Sequence, residues 1–170
     1  MAIPDLFPAL PDEARLWIYL SDRPLQPEEE AALHAAFIPF LANWQSHGRK
    51  IMGALSILDH RFLFLAGLIP NAEISGCGID KSVHIIEEMS DTLGFHWLNS
   101  LRIAYRDQHG SIRSASRSQF REQIQEGLVG PDTSVFDLTT ETLGAFRRGA
   151  FEKPARSSWH ATAFHLLDAG

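Results

Sequence analysis

The sequence predicts an α+β fold with a ferredoxin-like core, on three observations. Apolar residues fall at strand-like and helix-like spacings in the order β-α-β-β-α-β-β, followed by an extension. The first six elements match the split βαβ arrangement, in which helices cover one face of an antiparallel sheet. The strands are apolar at both alternating sets of positions, so the second sheet face needs a cover of its own. The 170 residues suit one domain, since domains usually run to roughly 100–200 residues. The expected division is an N-terminal arm over 1–14, a ferredoxin-like core over 15–117, and an extension over 118–170 packed on the core.

Residues 1–14 hold three prolines and no period, which reads as a loose arm. Leu16–Leu20 is a short aromatic and β-branched run closed by Ser21-Asp22-Arg23-Pro24, a buried strand. Pro27 suits the first position of a helix, where its missing N–H costs nothing. Glu28, Glu29 and Glu30 sit where the helix dipole favours negative charge. Leu33, Phe37, Phe40, Leu41 and Trp44 share one face of that helix, with a kink expected at Pro39 and an end at His47-Gly48.

Ile51–Leu58 and Phe62–Leu68 read as a hairpin around Asp59-His60. The two-residue strand period suggests one face of Leu16, Ile18, Leu20, Leu63 and Leu65, and another of Trp17, Tyr19, Phe62 and Phe64. The loop Pro70–Gly78 leads to a second helix carrying Ile79, Val83, Ile86, Met89 and Leu93, stopped by Gly94. Leu101–Tyr105 and Ile112–Ser116 form a further hairpin, and Gln119–Gln125 a short polar helix. Ser134–Leu138 is strand-like, and Leu143–Phe151 is followed by an irregular stretch to Gly170.

The longest apolar run, Phe62–Ile69, falls well short of the roughly 20 residues of a membrane helix. A single cysteine excludes an internal disulfide framework and suits a reducing cytosol. The formal charge of −6 argues against a general nucleic-acid binder, because phosphate contacts supply much of such affinity. Residues 102–121 nevertheless carry five arginines, Arg102, Arg106, Arg113, Arg117 and Arg121, against one acid, Asp107. With the aromatic sheet face they keep an RNA- or protein-binding platform as the alternative reading, although the motif string of RNA-recognition modules is absent. A homodimer closed over that face, without chemistry, is the third.

The densest chemistry is Ser75-Gly76-Cys77-Gly78-Ile79-Asp80-Lys81-Ser82, at the opening of the second helix. Free N–H groups and the dipole there favour an anion, and the glycines allow a ligand close to the backbone. The string is not a nucleotide phosphate loop: Ser75 and Asp80 stand at both glycine positions of G-x-x-x-x-G-K-[ST]. Cys77 is the candidate nucleophile, with His160 or His47 as its base or orienter. Ser75, Gly76, Gly78, Asp80, Lys81, Ser82, Ser158 and Trp159 are the candidate ligand-binding residues. The bland reading is a tight turn with Cys77 buried as a small hydrophobe and Ser75 or Asp80 capping the helix. Metal-ligand spacing is missing, with no H-x-H, H-E-x-x-H or C-x-x-C, and no cofactor is expected.

Four strings, Trp44-x-x-His47-Gly48, Ser75–Ser82, Asp132-Thr133-x-Val135-Phe136 and Ser158-Trp159-His160, resemble a family of short, uncharacterised bacterial cytosolic proteins. Its members often carry the label "ABC transporter ATPase", which the broken phosphate loop does not support. The resemblance runs from about Leu16 to Phe164 and departs from the family pattern at Gly78, where Ser is usual, and at Asp137-Leu138, where Asn is expected. It implies a pocket built by the Cys77 loop and the Ser158-Trp159-His160 segment, and no particular reaction.

Overall fold

The computed structural model describes residues 2–167; Met1 of the expected arm and the last three residues of the expected tail lie outside them. The fold is mixed α and β, and every strand pair among the described residues is antiparallel. The chain divides into two units. One comprises the residues up to Leu98 together with Glu141–Arg147, and the other Asn99–Thr140 together with the residues from Arg148 onward.

The first unit begins with β1 (Arg15–Leu20) and α1 (Pro27–Asn43). Gln26 and Glu29 form a reciprocal capping box at the start of α1, with Pro27 at the first helical position. Pro39 lies inside the helix without ending it; its carbonyl accepts from Asn43 Nδ2 at 3.0 Å. The helix stops at Asn43, before the expected His47-Gly48. Those two residues instead turn a miniature hairpin, β2 (Gln45–Ser46) and β3 (Arg49–Lys50). Both have positive φ, 51° and 75°, as a two-residue hairpin turn of the primed kind requires.

The hairpin β4 (Met52–Leu58) and β5 (Phe62–Leu68) turns through three residues, with Leu58 opposite Phe62. The sheet order is β1-β5-β4. Directly paired residues share a face, so the pairs Leu20–Phe62 and Ile18–Phe64 put both phenylalanines with Leu16, Ile18 and Leu20. The expected faces are therefore corrected: Leu63 and Leu65 go with Trp17 and Tyr19, under the helices, in the core of Leu33, Phe37, Trp44 and Ile86. Phe62 and Phe64 are fully buried on the opposite face, where Phe146 of α4 (Leu143–Arg147) meets Phe64 edge-on, ring centroids 5.3 Å apart. Within this unit, α4 is the part of the C-terminal sequence that lies on the sheet.

Helix α2 (Gly76–Leu93) ends at Gly94 with φ 77°, as expected. The chain then passes the free edge of β1 by a single bridge, Ser21 opposite Trp97, with Leu98 N–H donating to the Leu20 carbonyl at 2.8 Å. The expected fourth core strand, Leu101–Tyr105, does not continue that pairing. β6 (Ile103–Arg106) instead bonds β7 (Ile112–Ala115) and β8 (Ser134–Phe136) in a second sheet, of order β7-β6-β8-β9. The fourth member, β9 (Glu152–Pro154), comes from sequence expected to be irregular. Helix α3 (Arg117–Gln125) puts Phe120 into this second core with Ile103, Tyr105, Val135 and Phe164, and α5 (Trp159–Ala163) follows a short 3-10 turn at Ala155–Ser157.

Candidate functional site

The start of α2 lies three residues earlier than the apolar period suggests, because Ser75, not Asp80, is its cap. The Ser75 hydroxyl accepts the Gly78 N–H at 3.3 Å, so Cys77 occupies the first helical turn. A second serine holds the cap in place. Ser46, buried at the end of β2, donates its hydroxyl to Ser75 Oγ at 2.7 Å and accepts the Ser75 N–H at 2.9 Å. Trp44, the residue that closes α1, donates Nε1–H to the Gly78 carbonyl at 2.7 Å. Three elements, α1, the miniature hairpin and α2, are thus tied at one point.

The two glycines of the turn have different roles. Gly78 is buried, its N–H goes to the cap, and a β-carbon on it would lie 3.3 Å from Ile74 and 3.5 Å from the Gln45 carbonyl. Its missing side chain lets the hairpin approach, not a ligand. Gly76 is exposed with open space where a β-carbon would stand. Among the described residues, the Gly76 and Cys77 N–H groups have no acceptor.

Cys77 is a free, exposed thiol, which overturns its reading as a packed small hydrophobe. Asp80 and Lys81 are exposed beyond it; Ser82 is buried and turns its hydroxyl back to the Ile79 carbonyl at 2.6 Å. His47 is exposed at the hairpin tip, one residue from the Ser46 anchor, and belongs to the same unit as Cys77. The neighbouring Lys50 is spent on the end of α1, where it donates to the Leu41 carbonyl at 3.0 Å and also to that of Ala42.

His160 belongs to the second unit. It is fully buried, stacked on Trp159 with centroids 3.8 Å apart and flanked by Phe120 and Phe164. Ser158 Oγ and His160 Nδ1 share a 2.8 Å hydrogen bond, while Nε2 has no partner among the described residues. Burial holds the imidazole pKa down at about 4; Asp137 pulls it up, and Lys153 and Arg117 push it further down. The ring is therefore neutral near pH 7. Trp159 remains half exposed, with the Arg117 guanidinium 6.0 Å from its ring.

The arginine stripe is largely used within its own unit. Arg106 pairs with Glu152, Arg113 with Asp107, and Arg102 donates to the Ser114 carbonyl. Arg117 and Arg121 both lie 5.6 Å from the Phe164 ring. On the first sheet, Trp17 and Tyr19 stand edge-on to Trp44 and Trp97, half buried rather than offered as a stacking platform. No group of histidine, cysteine or acidic side chains among the described residues is arranged to hold a metal ion. Among them, too, no helix is long and apolar enough to cross a membrane.

Ser46 and Trp44 position the site and were not expected to. A signal for Ser46 exists in its place before a His-Gly turn, since a hairpin there puts it on the strand facing the next element. No family model matches this chain, and no curated protein or solved structure matches it.

Proposed function

We propose that this protein binds a small anion, phosphate- or carboxylate-bearing, at the start of α2. One observation carries the reading: two adjacent backbone N–H groups, of Gly76 and Cys77, stand unbonded on exposed residues at the positive end of an 18-residue helix. The Ser46–Ser75 pair supports it, because it directs the cap to Gly78 and leaves the first two N–H groups to a ligand. Lys81 and His47 add cationic or donor side chains from the same unit, and Cys77 presents its thiol beside the bound group. Asp80 opposes an anion and needs to remain turned to solvent.

The test uses a substitution that this backbone accepts. Gly76 is the first helical residue, where proline is favoured, and Ser75 has ψ 160°, the extended conformation that a following proline demands. Gly76→Pro removes one N–H and leaves the helix intact. Inorganic phosphate titrated into the protein should shift the Gly76 and Cys77 amide resonances and slow alkylation of Cys77 by iodoacetamide. The proline variant should bind about tenfold more weakly, the worth of one hydrogen bond to a charged group. Equal affinity in the variant contradicts the proposal.

A second reading, a thiol enzyme with Cys77 as nucleophile and His47 as its base, is favoured by the exposure of both in one unit. His47→Ala separates the two: it slows alkylation of Cys77 if the imidazole serves the thiol and leaves the rate unchanged if Cys77 only flanks a ligand.

The β1-β5-β4 order with the Ser21–Trp97 bridge on the other edge of β1 supports reading the first unit as a ferredoxin-like sheet whose fourth strand has shrunk to one bridge. The lone free thiol supports a cytosolic location. The resemblance to the bacterial family adds no activity to this reading.

A further inference from the structure

A notch of about 190 Å³ opens in the first unit beside the start of α2, and neither Gly76 nor Cys77 is among the residues that line it. Its origin lies in the two-residue strand period. Arg15 and Trp17 alternate along β1 and turn to the helix side of the sheet, and Glu13, in the turn that Ala14 N–H closes on the Pro11 carbonyl, lines the same opening. Opposite Arg15 the paired residue is Gly67, whose place above the sheet is taken by Trp44 and Ile74. Beyond β5, the tight turn from Ile69 to Ala72, with Asn71 at φ 60°, brings Glu73 to the same opening. Ile69, Ile74 and Ile79 make the apolar wall.

Three formal charges of both signs therefore line one notch, and they do not pair with one another. Among the described residues neither Glu13 nor Glu73 has an ion pair or a side-chain hydrogen bond, and Arg15 makes only its contact with the Trp17 ring, at 5.9 Å. Exposed charges of opposite sign gain little from closing on each other across an opening. Unpaired, they suit a ligand that carries both signs itself. The size of the space narrows the class: an apolar cavity of about 150 Å³ takes up benzene, so this notch accepts a compact aliphatic group.

We infer that the notch is a binding site for an aliphatic α-amino acid. The ligand's carboxylate meets the Arg15 guanidinium, its ammonium meets the Glu13 and Glu73 carboxylates, and its side chain lies against Ile69, Ile74 and Ile79 with Trp17 as floor. Arg15 is suited to this, since a planar guanidinium receives a carboxylate on its edge while its face rests on an aromatic ring. The inference stands independently of the anion site at α2.

The experiment is isothermal titration of the full chain with L-leucine, 3-methylbutylamine and 4-methylpentanoate, which share an aliphatic body and carry both charges, the positive one, or the negative one. Trp17 fluorescence provides a second readout. L-leucine should bind saturably, and each singly charged analogue at least about tenfold more weakly, the worth of one charge-assisted contact. Arg15→Gln should lower leucine affinity to the level of the amine without changing the amine, and the double variant Glu13→Gln, Glu73→Gln should do the same with respect to the acid. Glu13, Arg15 and Glu73 are exposed, so the variants should fold, which circular dichroism checks. Gly76→Pro should leave leucine binding unchanged, and Arg15→Gln should leave phosphate binding unchanged. Absence of saturable leucine binding at millimolar concentration, equal affinity for leucine and the amine, or insensitivity to Arg15→Gln overturns the inference.

Discussion

Trp44 should respond sharply to one added methyl group. Its six-membered ring lies over two strand glycines. A β-carbon on Gly67 would come within 2.9 Å of Trp44 Cη2 and Cζ3 and 3.0 Å of Ile74 Cδ1, and one on Gly53 within 2.7 Å of Trp44 Cε3. Carbon atoms rest at about 3.5 Å or more, so Gly67→Ala needs a shift of about 0.6 Å in the ring or the strand. The ring has little freedom to give it. Trp44 is buried, packs on Phe40 and Trp17 with centroids 5.1 and 6.0 Å away, and is tethered by its 2.7 Å bond to the Gly78 carbonyl. Overpacking of this kind costs typically 1–3 kcal/mol. Taking about 2 kcal/mol, a chain of this size should melt about 4–8 °C lower. The sign is diagnostic, because alanine in place of glycine on an ordinary strand stabilises by about 0.5–1 kcal/mol. Urea unfolding should show the loss as a lower midpoint at constant slope, and the Gly78 and Ile79 amide resonances should move with it. Trp44→Phe in the same chain removes the clashing atoms, so the double variant should cost less than the two single costs added. An alanine variant as stable as the parent, or strictly additive costs, would refute the account of Trp44 as the post on which α2 is set.

The remaining predictions concern the second unit and the serine anchor. His160, with its pKa near 4 when folded against 6.5 when free, takes up its proton in the unfolded chain first. Stability should therefore be complete above about pH 6.5 and fall progressively toward pH 4, by up to about 3 kcal/mol from this group; His160→Gln should flatten that slope, and urea midpoints against pH would show it. Ser46→Ala deprives the Ser75 N–H and hydroxyl of their buried partner. It should cost about 1–2 kcal/mol and raise hydrogen exchange at the Ser75 amide, and unchanged exchange there would count against the anchor.

The helices and the first hairpin were legible because their signals are local. Pro27 with three glutamates starts α1, Gly94 ends α2, and two apolar runs a turn apart make β4 and β5. The sheet face of Phe62 and Phe64 was not legible, because it depends on how β5 registers against β1, more than forty residues earlier in the chain. Leu20 stands opposite Phe62, and with a period of two a slip of one residue in that pairing exchanges every side chain between faces. The destination of Ile103–Arg106 was hidden for a different reason. A four-residue strand reads the same whichever sheet accepts it, and the choice depends on Val135 and Phe136 some thirty residues later, in a strand of only three residues.

The candidate site divides along the same line between local and distant causes. Ser75, Gly76 and Cys77 could be picked out because the start of a helix is written in a few consecutive residues. The exposure of Cys77 could not, since a lone cysteine reads as buried until the neighbours are known. What keeps it at the surface is the arrangement around Gly78. That residue, not Cys77, faces inward between the Gln45 carbonyl, Ile51 and Ile74, so its immediate predecessor in the first turn must point away from the core. Glycine at this position therefore acts on packing. A β-carbon there would stand 3.3 Å from Ile74 and 3.5 Å from the Gln45 carbonyl, so the Ile74 side chain would have to give way by a few tenths of an ångström. In this chain the close seat of the hairpin on the helix is what holds Ser46 on Ser75, and with the Ser75 cap directed to Gly78 the Gly76 and Cys77 N–H groups have no acceptor among the described residues.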